Sequence, residues 1–79
     1  MNRTTIIEKL QPLMAQEFET DAALMLPDAP LRETLDLDSL DIVDVIVLIE
    51  HTCGVKLQKS DFSTLKTFDD LYKLIETHL

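Results

Sequence analysis

The sequence predicts an all-α fold: a small helical bundle of three main helices plus a short helix, with a long loop between the first and second helices. Three observations predict it. Apolar residues recur at helical spacing in three separate stretches. One Gly, three Pro and no Trp point to helices joined with few tight turns. An apolar fraction of 46% is normal for a folded domain and too high for intrinsic disorder. Seventy-nine residues allow one domain, 1–79, with one modest core and marginal stability.

The first helix is expected from about Thr4 to Phe18, where Ile6, Ile7, Leu10, Leu13, Met14 and Phe18 make an apolar stripe. Thr4 or Thr5 can cap it. Pro12 removes an internal hydrogen bond, so a kink there or a later start is expected. Residues Glu19 to Thr34 carry Pro27 and Pro30 and show no sustained period. They read as a long loop with a turn of helix near Ala22–Met25, held on the core by Leu24, Leu26, Leu31 and Leu35.

The second helix runs from Asp38 to about Cys53. The Asp38 carboxylate is the side chain an N-cap needs, and Asp41 adds negative charge where the macrodipole is positive. Stepping about 100° per residue puts Ile42, Val45, Ile46, Ile49 and Cys53 on a core face. Leu40, Val43 and Val47 fall on another side, edged by Asp44, Glu50 and His51. A helix apolar all round is ordinarily buried, but so short a chain has few elements to cover both sides. The second face therefore reads as a docking ridge. Gly54 can end the helix in a left-handed conformation. Val55 to Lys59 read as an extended connector, and Ser60 or Asp61 can cap a single turn through Phe62 and Leu65. Thr67 caps the last helix, with Asp69 and Asp70 in its first turn and Phe68, Leu71, Tyr72, Leu74 and Ile75 on its buried face.

The formal charge of −8 is unevenly placed. Residues 1–50 hold 11 acids and 3 bases, whereas residues 51–79 hold 4 of each. Such an acidic half repels nucleic acid and favours partners with basic surfaces. The lone Cys53 cannot form an internal disulfide, no signal peptide is visible and the longest apolar run is too short for a bilayer. The chain reads as soluble and cytoplasmic.

Ser39 sits where loop becomes helix, beside carboxylates and with no His or Lys near it in sequence. A serine in that setting is placed to be acted upon rather than to attack. His51 and His78 are distant, and no Gly-rich oxyanion loop accompanies them, so an enzyme is not indicated. Asp36, Asp38 and Asp41 could bind a divalent cation weakly, but an EF-hand loop from Asp36 fails its own pattern at Leu40, Asp41 and Val47. No metal site is expected.

Asp38-Ser39-Leu40-Asp41, followed by Val43, Asp44 and the apolar run to Glu50, resembles the acyl carrier protein signature D-S-L-D-x-V-E. Leu31, Leu35, Gly54-Val55-Lys56-Leu57 and Thr67 to Leu71 extend the likeness over nearly the whole chain. The resemblance implies a free-standing, non-catalytic carrier whose Ser39 bears 4′-phosphopantetheine, installed from coenzyme A by a phosphopantetheinyl transferase. Acyl groups would ride on its thiol as thioesters. Asp38, Leu40, Asp41, Val43, Asp44, Val47 and Glu50 would dock that transferase and pathway enzymes: acyl-transferring, ketosynthase, reductase or dehydratase-type proteins of fatty-acid or polyketide-type synthesis with basic patches. Ile46, Ile49, Phe62 and Leu65 would line an acyl cleft. A carrier of this kind is expected to be monomeric.

Asp36 stands where the family usually has Gly, His51 where many members have an acid, and Cys53 where a larger apolar residue is common. Lys56, Lys59 and Lys66 reduce the acidity after the second helix. These departures point toward a specialised pathway. The alternatives are a peptidyl or aminoacyl carrier, and an unmodified acidic adaptor that docks through the second helix.

Overall fold

Four α-helices and two turns of 3-10 helix make up the computed structural model, which describes residues 1–79. The helices are α1 (Arg3–Glu17), α2 (Leu31–Leu35), α3 (Ser39–Cys53) and α4 (Phe68–Thr77); the 3-10 turns are Ala22–Leu24 and Lys59–Thr64. The three long helices match the expected class. The expected short turn through Phe62 is the Lys59–Thr64 3-10 turn, whereas α2 is a further helix where the sequence pattern indicates the end of the long loop.

α1 starts earlier than the sequence pattern indicates. Asn2, rather than Thr4 or Thr5, is its N-cap, its side chain accepting the Thr5 amide at 2.9 Å. The helix then runs on through Pro12 as one element. Pro12 and Glu8, whose carbonyl Pro12 leaves without an amide, both lie on the exposed side, where water can satisfy that carbonyl. Ile6, Leu10 and Met14 are fully buried, whereas Leu13 faces solvent. Beyond Glu17 the helix is closed off by Glu19, in the left-handed conformation (φ 51°), with the Thr20 amide donating to the Ala15 carbonyl at 2.9 Å. This is the six-to-one closure that satisfies a last-turn carbonyl.

The connecting segment is anchored differently from expectation. Leu24 and Leu26 are 59% and 57% exposed, and Met25 between them is buried. The Asp21 side chain caps the Ala22–Leu24 turn, and the tighter 3-10 phase turns Leu24 outward. Gln11 Nε2 donates to the Met25 carbonyl at 3.0 Å and fixes Met25 on α1. Leu31 and Leu35 do reach the core, one turn apart on α2. α2 ends at Asp36, also left-handed (φ 54°), with the Leu37 amide on the Arg32 carbonyl at 2.8 Å. That conformation suits Gly; Asp is among the few other residues that tolerate it.

The chain before α2 is stitched to the start of α4 by backbone. The Leu31 amide donates to Lys66 (2.9 Å), the Phe68 amide to Ala29 (3.3 Å) and the Asp69 amide to Pro27 (2.9 Å). Arg3 closes the other side, its guanidinium pairing with Asp69 and Glu76 of α4. At the head of α4, Thr67 Oγ1 accepts the Asp70 amide at 3.2 Å, and the Asp70 carboxylate accepts the amides of Lys66 and Thr67 at 3.0 and 3.2 Å. Those two amides hold the Asp70 pKa below the usual carboxylate range. The second 3-10 turn is fixed by Asp61 reaching back to the Gln58 amide at 2.8 Å, so Gln58 rather than Ser60 or Asp61 precedes it.

All 16 buried residues are hydrophobic. α1 packs against α3 and α4, and α3 against the Lys59–Thr64 turn. Phe68, Leu71, Tyr72 and Ile75 of α4 fill the centre, as expected from their spacing, while Leu74, expected with them, is half-buried. The Tyr72 hydroxyl is buried without a hydrogen-bond partner, and burial pushes its pKa up to about 12. No helix is long and apolar enough to cross a membrane.

Candidate functional site

The head of α3 is a doubly closed cap. Asp38 Oδ1 accepts the amides of Leu40 and Asp41, each at 2.9 Å, and Asp41 Oδ2 accepts the Asp38 amide at 3.1 Å. The amide of Asp41, and after it that of Leu40, holds the Asp38 pKa below its ordinary value. Reciprocal bonding of this kind fixes the entry angle of the chain. Ser39 is therefore the first residue of a rigid helix, and it is exposed. Amides at a helix N-terminus suit a phosphate, but here Asp38 already occupies two of them.

No histidine is paired with Ser39. His51 lies twelve residues along the same helix, about 18 Å away at 1.5 Å per residue, and His78 sits at the end of α4, its ring against the Leu74 carbonyl. Asp38 and Asp41 are committed to backbone amides, and no three His, Cys, Asp or Glu side chains converge on one point. Burial raises the Cys53 thiol pKa, and its sulfur packs beside the core. A half-buried thiol with a raised pKa is a poor nucleophile.

Beyond Ser39, α3 divides into the two faces read from the sequence. Ile42, Val45 and Ile49 are buried, with Ile46 and Cys53 half-buried beside them. Leu40, Val43 and Val47 are 73%, 42% and 46% exposed, and Asp44, Glu50 and His51 are exposed around them. Gly54 terminates the helix in the left-handed region (φ 70°). Among the residues expected to line an acyl cleft, Ile49 and Phe62 are fully buried, while Ile46 and Leu65 are half-buried at the edge.

A cavity of about 280 Å³ opens beside Ser39, walled by Arg32, Leu37, Asp38, Ser39, Ile42 and Lys59. Sequence reasoning did not place Arg32, Leu37 or Lys59 at this site. One signal was available: Arg32 is the only Lys or Arg between Lys9 and Lys56. The Ser39 hydroxyl, exposed, free of protein hydrogen bonds and open to this cavity, fits a bulky group attached through oxygen.

Fold and site together describe a small helical carrier, built to present a group rather than to transform one. The family model for the phosphopantetheine attachment site matches residues 8–75. Acyl carrier protein 2 of Ralstonia nicotianae is 30% identical over 79 residues, covering 100% of this chain and 98% of that one. The acyl carrier protein of Thermosynechococcus vestitus is 33% identical over 75 residues (95% and 93% covered), and that of Thermotoga maritima 30% over 78 (99% and 96%). The chain belongs to the acyl carrier protein family, non-catalytic carriers with a covalently attached 4′-phosphopantetheine that are served by phosphopantetheinyl transferases and biosynthetic enzymes.

Proposed function

We propose that Ser39 is the attachment residue, and that the chain carries acyl groups to the enzymes of a fatty-acid or polyketide-type pathway. The observation that carries this reading is a single one: an exposed hydroxyl at the capped, rigid start of α3, open to a cavity beside it. The bound group supplies a terminal thiol on a flexible arm, on which acyl groups are held as thioesters.

The chain's own residues hold and present that arm. The Asp38–Asp41 box keeps Ser39 at a fixed place and angle, so that a visiting transferase meets one geometry. Leu40, Val43 and Val47 give partners a small apolar contact, and Asp38, Asp41, Asp44 and Glu50 steer basic patches toward it. Docking of this kind is weak and screened by salt, which lets one carrier visit acyl-transferring, ketosynthase, reductase and dehydratase-type enzymes in turn. Tethering offsets the weakness by raising the effective concentration of cargo at each enzyme. Ile46 and Leu65 form the edge through which an acyl chain reaches Ile49 and Phe62; α3 and the Lys59–Thr64 turn must part to admit it. The lone Cys53 asks for no oxidising compartment, in keeping with a cytoplasmic location, and a carrier that visits several enzymes in turn acts as a monomer between visits.

Incubation with coenzyme A and a broad-specificity phosphopantetheinyl transferase tests the assignment. The expected result is a mass gain of one phosphopantetheine, mapped to Ser39, with Ser39→Ala folded and unmodified. A folded Ser39→Ala that still gains the mass overturns it.

A further inference from the structure

The phosphodiester of an arm on Ser39 enters an unfavourable field. Asp36, Asp38 and Asp41 lie within three residues of it, in the half of the chain that carries the whole net charge. The helix end gives limited relief, because the Leu40 and Asp41 amides are already bonded to Asp38. Yet two cations wall the cavity that opens at Ser39. Arg32, on α2, is the sole cation in the acidic run, and Lys59 stands at the start of the second 3-10 turn, which packs against α3. Neither takes part in any of the four ion pairs of the structure. Arg32 is nonetheless held in place: its Nη2 donates to the Phe62 carbonyl at 3.1 Å. That bond leaves the other guanidinium N–H groups for a ligand.

We infer that Arg32 and Lys59 form an oxyanion subsite that holds the phosphodiester of the arm and turns the root of the arm into the cavity, over Leu37 and Ile42. The inference rests on Ser39 being the attachment residue. An oxyanion could come from two sources, the phosphodiester at the root of the arm or a carboxylate on the cargo at its tip. The phosphodiester is the occupant, because it is bonded to Ser39 itself and never leaves the cavity mouth, whereas a cargo carboxylate reaches it only by ordering a folded-back arm. Guanidinium geometry suits two phosphate oxygens at once, and the Lys59 ammonium adds a second, more mobile donor. Leu37 and Ile42 then offer the first methyl-bearing carbons of the arm an apolar wall. Arg32 and Lys59 are positioning residues that set where the arm leaves the protein.

The test uses the full chain labelled with ¹⁵N, in the apo form and in the holo form bearing a bare thiol, with intact mass and peptide mapping to confirm modification at Ser39. The expected result is a shift of the Arg32 Nε–Hε resonance on modification, lost at high salt. The ³¹P resonance of the holo protein should move in Lys59→Gln and further in the Arg32→Gln/Lys59→Gln double variant, with Arg32→Lys restoring part of the wild-type position. The Lys59 side chain makes no hydrogen bond or ion pair within the fold, so Lys59→Gln keeps the test decisive if Arg32 variants unfold. Arg32 and ³¹P signals indifferent to these changes, in protein modified at Ser39, overturn the subsite and leave the carrier reading intact. A shift seen only when the thiol bears a carboxylated acyl group overturns the assignment to the phosphodiester. Absence of modification at Ser39 overturns the site itself and the subsite with it.

Discussion

Tyr72 is 2% exposed and its hydroxyl has no partner, so replacing it with Phe should stabilise the protein. Withdrawing a hydroxyl from water without a hydrogen bond costs about 1–3 kcal/mol. Phe keeps the ring that fills the centre of the core and leaves no void larger than one oxygen. Taking the low end, Tyr72→Phe is expected to gain about 1 kcal/mol, or about 4–8 °C in Tm for a domain of this size. The alkaline limb supplies a second, independent reading. The folded phenol is pushed up to about 12 by burial, against about 10 in an unfolded chain. A raised folded value means that the Tyr72 contribution is intact below pH 10 and is lost between pH 10 and 12, as the unfolded chain ionises first. Wild type should therefore lose more stability over that window than Tyr72→Phe. Thermal and urea unfolding followed by circular dichroism measure both effects. A Phe variant that melts below wild type, or shares its alkaline slope, would show that the hydroxyl is hydrogen-bonded in solution and refute the reasoning.

Other expectations follow from the caps and the acidic face. Thr67→Ala removes the side-chain acceptor at the head of α4 and should cost about 1 kcal/mol, read as a drop in Tm of several degrees. Asp38 and Asp70 have folded pKa values below their unfolded ones, so their contribution is complete above about pH 4 and falls as acid protonates them in the folded state. Asp38→Asn keeps a competent cap without a titrating group, and should flatten the acid limb of Tm against pH; an unchanged limb would remove Asp38 from the account. Reversing Asp44 and Glu50 to Lys should slow modification by the transferase several-fold at low salt and less at high salt, measured as the initial rate of mass gain. Equal rates at both salt concentrations would dismiss acidic steering.

What the sequence reveals and what it hides divide along the range of the interactions. The Asp38 and Thr67 caps, the left-handed Gly54 and the two faces of α3 depend on neighbours three or four residues apart, and all are legible. The start of α1 is not, because Asn2, Thr4 and Thr5 are all competent caps and only the packing of Ile6, Leu10 and Met14 selects Asn2. α2 hides for a different reason. Five residues between Pro30 and a left-handed Asp36 are too few to show a period, and the bonds that fix them come from Lys66 and Thr67 side of the chain. The choice of Met25 over Leu24 and Leu26 depends on the phase of a 3-10 turn and on Gln11, fourteen residues away. The cavity is the most distant case: Arg32 and Lys59 are separated by 27 positions, and only the packing of the second 3-10 turn against α3 brings them to Ser39.

The backbone seam between the Pro27–Leu31 segment and the Lys66–Asp69 segment has a consequence for how this surface can diversify. Its three bonds use amides and carbonyls alone, so the segment's attachment depends little on the side chains it displays. Asp28, Leu24 and Leu26 all point to solvent. They lie on the stretch that leads to Ser39, yet they are free of the core. Substitutions there can change the surface near the start of α3 while the capped helix stays where it is.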